Sequence, residues 1–147
     1  MNLDLLDTQV KKDIISRINL LQSTSAPLWG KMTVSQMLAH CQAQMGVALG
    51  ETQVTSSVVS RLFGGWIKKM VINEKPFSKN LPTAPAFVVR HDPEFETEKS
   101  KLIDMLGRFT KENIKNQPHP IFGKLTLDEW SKGTWKHIDH HLKQFGV

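Results

Sequence analysis

The chain has one cysteine, no tyrosine and no long apolar run, and each shortage removes a class of readings. A lone thiol, Cys41, cannot close a disulfide within the chain, so an oxidising compartment offers it no staple. The most apolar stretch, residues 58–70, is interrupted by Arg61, Gly64, Gly65, Lys68 and Lys69. A membrane span needs about 20 mostly apolar residues, so none is expected. The opening MNLDLLDTQVKKD lacks a basic start followed by an apolar core. No secretory signal is therefore expected, and a cytoplasmic location is. Clustered positive charge is scarce too. The formal charge is +5, but the lysines are scattered, with Lys11–Lys12 and Lys68–Lys69 as isolated pairs. Charge alone steers without specifying, so no nucleic-acid partner is expected.

What is present suits one globular domain spanning residues 1–147. Hydrophobic residues make up 39% and charged residues 22% of the 147, enough to build a core without metal or disulfide support. Leu3, Leu6, Val10, Ile14, Ile18 and Leu21 recur at gaps of three and four, which predicts a helix over residues 3–22. Thr33-Val34-Ser35-Gln36 reads as a capping box that starts a second helix, ending near Gly50. Its stripe of Val34, Met37, Leu38, Cys41, Met45 and Ala48 is flanked by Ala39, Ala43 and Val47, so deep burial is expected. Residues 57–72 predict a shorter amphipathic piece that covers the other helices. Val59, Leu62, Phe63, Trp66 and Met70 share one side of it, with a kink or break at Gly64-Gly65.

Residues 73–92, with Pro76, Pro82 and Pro85, predict a long ordered loop. A short extended piece is expected at Phe87-Val88-Val89. Asp92-Pro93 suggests the cap and first position of another long helix that stops before Pro118. Thr126-Leu127-Asp128-Glu129 is a second capping box. Leu127, Trp130, Thr134, Ile138, His141 and Phe145 would line the inner face of the last helix, and Gly146 would end it. No alternating strand pattern occurs. The expectation is an all-α chain: a four-helix bundle with one accessory helix and a long proline-containing loop.

Chemistry concentrates in His137-Ile138-Asp139-His140-His141. Residues four apart on a helix lie one above the other, so His137 and His141 can reach one ion together, whereas His140 points further round. A competing reading is available: histidines in a last helical turn also interact favourably with the negative helix end. His40, at the edge of the second helix's stripe, tips the choice. One histidine on one helix and a pair on a neighbour make a three-ligand, open metal site. Gln144, one turn from His140 and His141, is the candidate to orient a ligand imidazole, and Asp139 a weaker one. His140 and His119 are the candidate proton-transfer residues. Asn73, Arg90 and His91 are loop candidates for substrate contact, and Cys41 is expected to act as a small buried hydrophobe.

The chain resembles the DinB/YfiT-like superfamily of four-helix metalloproteins, and within it a branch of bacterial proteins with a characteristic ending. The resemblance rests on Trp29-Gly30-Lys31-Met32-Thr33 leading into Met37-Leu38-Ala39-His40, and on Leu81-Pro82-Thr83-Ala84-Pro85. It closes with residues 119–126 (HPIFGKLT) and 136–146 (KHIDHHLKQFG). It implies that His40, His137 and His141 ligate a divalent ion such as nickel or zinc, and often a homodimer. It also implies chemistry on a small molecule or a low-molecular-weight thiol, of hydrolase or thiol-transferase type. The alternative is a non-catalytic bundle that holds metal or a small ligand. A peripheral membrane contact through residues 57–72 is a weaker reading.

Overall fold

The computed structural model of the chain describes residues 3–55 and 58–147. Among these residues there are five α-helices and no strand. They are α1 (Thr8–Leu20), α2 (Val34–Leu49), α3 (Val58–Ile72), α4 (Phe95–Arg108) and α5 (Leu127–Gln144), with a 3-10 turn at Pro85–Phe87. None is long and apolar enough to cross a membrane.

α2 is the central element. The reciprocal Thr33–Gln36 capping box starts it and Gly50, at φ 73°, ends it in the left-handed conformation. It packs against α4, α5 and the 3-10 turn, while α1 lies on α4 and α5. Apolar residues on both sides of α2 explain this position. Met37, Leu38, Met45 and Ala48 on the stripe are fully buried, and Val47 on the opposite side is buried too.

α1 begins later than the apolar spacing predicts. The Asp7 carboxylate accepts the backbone N–H groups of Gln9 and Val10, which fixes the helix start at Thr8. The residues before it form a turn, closed by Asp7 N–H donating to the Asp4 carbonyl. That turn drives Leu5, which the helical stripe passes over, into the core. At α4 the expected Asp92–Pro93 start is also corrected. Glu94 is the cap, accepting from Glu96 and Thr97. Asp92 instead accepts from the Thr33 hydroxyl at 2.6 Å, joining the loop to the cap of α2. α4 stops at Arg108, well before Pro118, and a turn over 110–114 follows. Phe87 sits buried in the 3-10 turn, not in an extended piece.

The largest correction concerns α3. It is continuous through Gly64-Gly65, and its broad apolar side faces solvent. Leu62, Phe63 and Trp66 are 77%, 58% and 68% exposed; Val59 lies outside the described side chains. The inward side carries Gly64, Lys68 and Val71, spaced four and three apart. A Cβ on Gly64 would lie 2.0 Å from the Ile121 carbonyl oxygen, and one on Gly133 would lie 3.1 Å from Val71. Two glycines thus permit a close approach, and the small side of α3 takes it. Lys136 of α5 fixes the end of α3 by donating to the Met70 and Asn73 carbonyls and to Asn73 Oδ1, at 2.7, 3.0 and 2.9 Å. In α5, Thr126 and Glu129 form the expected capping box and Gly146 takes φ 77° after the last turn. Leu127, in the first turn of α5, is exposed and not inward.

Candidate metal centre

α2 and α5 bring three imidazoles to one point. His40 comes from the middle of α2, and His137 and His141 from successive turns of α5. The ligand atoms they offer all lie within 4.8 Å of one another. His40 and His141 are buried and His137 partly so. The ring centroids are 4.7–4.8 Å apart in every pair.

Hydrogen bonds assign the protons. His40 Nδ1 lies 2.9 Å from the Phe87 carbonyl, which only accepts, so Nδ1 carries the hydrogen and Nε2 is bare. His141 Nδ1 lies 2.8 Å from Gln144 Oε1. The Gln144 amide nitrogen donates to the Trp29 carbonyl at 2.7 Å, so its oxygen must face His141 and accept. His141 Nε2 is therefore bare as well. His137 Nε2 lies 2.9 Å from His40 Nε2 and donates to it. That leaves His137 Nδ1 as a sealed nitrogen with no partner among the described residues.

All three imidazoles are held neutral. Burial lowers the pKa of His40, against a smaller opposing effect of the Phe87 carbonyl. Burial first, then the nearby His40, pushes His141 down to about 3. His137 is driven well below the usual histidine range by burial, then by His40, His141 and His140.

This donor set fits a divalent cation. Neutral imidazole nitrogen is a preferred ligand for zinc and nickel. Tetrahedral zinc spaces its nitrogen ligands about 3.4 Å apart, given bonds of about 2.0–2.1 Å. Two of the three rings, His40 and His141, already have their second nitrogen bound by an acceptor, as a metal-holding histidine usually does. The hydrogen bond between His40 and His137 spans the place where a cation would take over from a proton. His137 is the departure, since no acceptor supports its Nδ1.

The other sequence candidates fall in three places. His140 is outside the cluster. Its ring lies between Trp29 and Phe77, with centroids at 5.7 and 5.6 Å, and 5.2 Å from His141. Burial lowers its pKa as well. His119 is buried against Trp130 of α5, and its Nδ1 accepts from the Ile121 and Phe122 N–H groups at 3.1 and 3.2 Å. Asp139 is committed to Arg17 and Lys143, at 2.9 and 2.8 Å. Asn73 anchors Lys136, while Arg90 and His91 are exposed and line no part of the cluster. Cys41 is sealed in the core and burial raises its pKa.

Beside His137 lies a cavity of about 70 Å³ that the sequence does not announce. Val71 and Ile72 of α3, Phe77, Phe122, Leu125 and Trp130 make most of its wall; Gln44, His119, Thr134 and His137 supply polar edges. One signal for it exists in the sequence: Gly133, a glycine inside a helix one turn before His137, marks a close approach. The carbonyls of Phe87 and Trp29 that serve His40 and Gln144 have no sequence signal, because backbone acceptors carry no residue identity.

No curated protein and no solved structure matches the chain. A family model does match, over residues 1–146, and the chain belongs to that family, described as protein of unknown function DUF1569.

Proposed function

We propose that the chain is a metal-dependent enzyme acting on a small molecule, with a divalent ion held by His40, His137 and His141. One observation carries the reading: three neutral imidazoles from two helices converge, two of them with bare Nε2 atoms fixed by outer hydrogen bonds. Three neutral ligands leave such an ion its full charge, and when bound it supplies Lewis acidity toward a water or a substrate oxygen or sulfur. Around it this chain would orient the ligands through Phe87 and Gln144. His140, between Trp29 and Phe77, is the proton-transfer candidate nearest the cluster. Hydrolysis or thiol transfer is the chemistry we favour, with nickel or zinc as the ion. We also read the five helices as a DinB/YfiT-like four-helix bundle with α3 as the accessory element.

The test is a zinc and nickel titration of the metal-stripped protein. We expect about one ion per chain and a rise in unfolding free energy of about 2.7 kcal/mol at a hundredfold excess over Kd. His40→Ala and His137→Ala should each abolish both effects. Ion-dependent turnover of small esters or thiol conjugates would then identify an enzyme. Tight binding without turnover would leave a metal-holding bundle, and no binding would end both readings.

A further inference from the structure

We infer that the cavity beside His137 is a ligand site for a small uncharged group bearing a hydrogen-bond-accepting oxygen, and that His119 Nε2–H is the donor that reads that oxygen. The inference rests on the metal reading only in calling the ligand a substrate.

Two backbone N–H groups point at His119 Nδ1, and an N–H only donates, so Nδ1 must be the bare nitrogen. The hydrogen of the neutral ring is on Nε2. Burial lowers the pKa of His119 to about 4, so the ring is neutral at neutral pH, and the two N–H groups fix its tautomer. With its lone pair already used, His119 is no general base; it is a fixed donor. The ring is also immobilised, stacked on Phe122 at 4.0 Å and 8° and lying 5.5 Å from Trp130.

Nε2 has no partner among the described residues. The sealed side-chain nitrogen without a partner is His137 Nδ1, not His119 Nε2, so Nε2 meets accessible space. His119 is only 3% exposed, and the space its ring borders is the cavity. Facing accessible space in an apolar wall, this N–H is the donor from which a ligand oxygen can accept in place of water.

Size and charge narrow the ligand. A 150 Å³ cavity takes benzene, so about 70 Å³ takes a group of roughly four heavy atoms. Six apolar side chains in the wall favour a neutral apolar body. Glu129 at the edge, paired with Lys68 at 2.9 Å, gives an anion no free cation to meet there. A short acyl or carbonyl end of a substrate meets these terms, and His137 in the same wall puts the three-histidine cluster next to it.

Acetone and 2-methylpropene have the same shape and differ in the oxygen, so they are the probes. Their binding is followed on the metal-stripped protein through the Trp130 indole, the Gly133 amide and the His119 ring nitrogens by NMR. We expect saturable shifts confined to these groups, and a shift of His119 Nε2–H with acetone alone. His119→Asn keeps an acceptor for the Ile121 and Phe122 N–H groups, but its amide nitrogen sits nearer the backbone and leaves no donor at the Nε2 position. It should lower the preference for acetone over 2-methylpropene about 3–10-fold, the range of one net hydrogen bond, while metal stoichiometry is unchanged. His119→Gln restores a donor near Nε2 and should recover the preference even if the turn is weakened. An unchanged preference in His119→Asn, or shifts that never saturate, overturns the proposal. Saturable acetone binding in a protein that takes no metal would sink the metal reading and leave this site standing.

Discussion

α5 meets α2 along one side and α3 along another, and the two contacts are built differently. Toward α2 the contact is sealed. Ile138, Leu142, Leu38 and Met45 are fully buried, and three imidazole rings touch one another. Toward α3 the contact is held by polar ties and small residues. Lys136 grips the end of α3, Lys68 pairs with Glu129, Gly133 abuts Val71, and a cavity of about 70 Å³ remains beside them. A sealed contact fixes side chains and suits ligands that must converge within a few tenths of an ångström. An incompletely filled contact leaves space for a guest. A rigid set of donors and an adjacent void thus share α5, with His137 belonging to both.

The largest expected effect is on acid stability of the metal-stripped protein. His119 and His141 have pKa values lowered to about 4 and about 3, and His40 and His137 are lowered as well. In the unfolded chain a histidine takes its proton near pH 6.5. Below that pH the unfolded state binds protons that the folded state refuses, so stability is complete above about 6.5 and falls as pH drops. Each such group contributes about 1.4 kcal/mol per pH unit at most. The loss from His119 runs down to about pH 4 and that from His141 to about pH 3. Three of these groups meet where α5 packs on α2, and His119 borders the cavity toward α3. Urea unfolding from pH 7 to pH 4 should therefore show a steep slope that His119→Asn reduces by about one group's share. A slope that vanishes in His119→Asn would mean the three-histidine cluster is not held neutral.

Next in size is the contrast between two leucines. Leu38 is fully buried in α2 and Leu62 is 77% exposed on α3. Leu38→Ala should cost about 2–5 kcal/mol, by lost transfer energy plus the cavity left behind. Leu62→Ala should stay within about 0.5 kcal/mol. Equal costs in denaturant unfolding would show that the outer face of α3 is covered in solution.

The same contrast explains what could be read from the sequence. In α2, apolar residues surround the helix, so every orientation buries it and the pattern is sufficient. The two capping boxes were legible because Thr33–Gln36 and Thr126–Glu129 are local chemistry. The three histidines were legible from helical spacing on α5 and an edge position on α2. α3 was misread because its apolar stripe is wide, whereas the packed side is chosen by two glycines, at 64 and 133, distant in sequence. The start of α4 was misread because Asp92 and Glu94 are both good caps, and Thr33, far along the chain, engages Asp92. The cavity was legible only at Gly133, because the rest of its wall comes from α2, α3, α5 and the loops, none of it unusual alone.

The smallest expected effects come from adjacent glycines, and they should have opposite signs. Gly64 and Gly65 are both helical, so a propensity argument treats them alike and predicts a gain of up to about 1 kcal/mol for alanine at either. The packing separates them. A Cβ at Gly65 meets nothing within 4 Å, so Gly65→Ala should deliver that gain. A Cβ at Gly64 would fall 2.0 Å from the Ile121 carbonyl oxygen and 3.2 Å from its carbon. Backbone atoms cannot swing aside as a side-chain end can, so α3 or the 119–123 turn must move. Forcing such a move costs about 1–3 kcal/mol, which outweighs the propensity gain. The displaced turn carries His119, so Gly64→Ala should also perturb its ring-nitrogen resonances, whereas Gly65→Ala should leave them in place. Stabilisation by both substitutions would mean that α3 does not lie against the turn, and the wall of the cavity would then be lost with that contact.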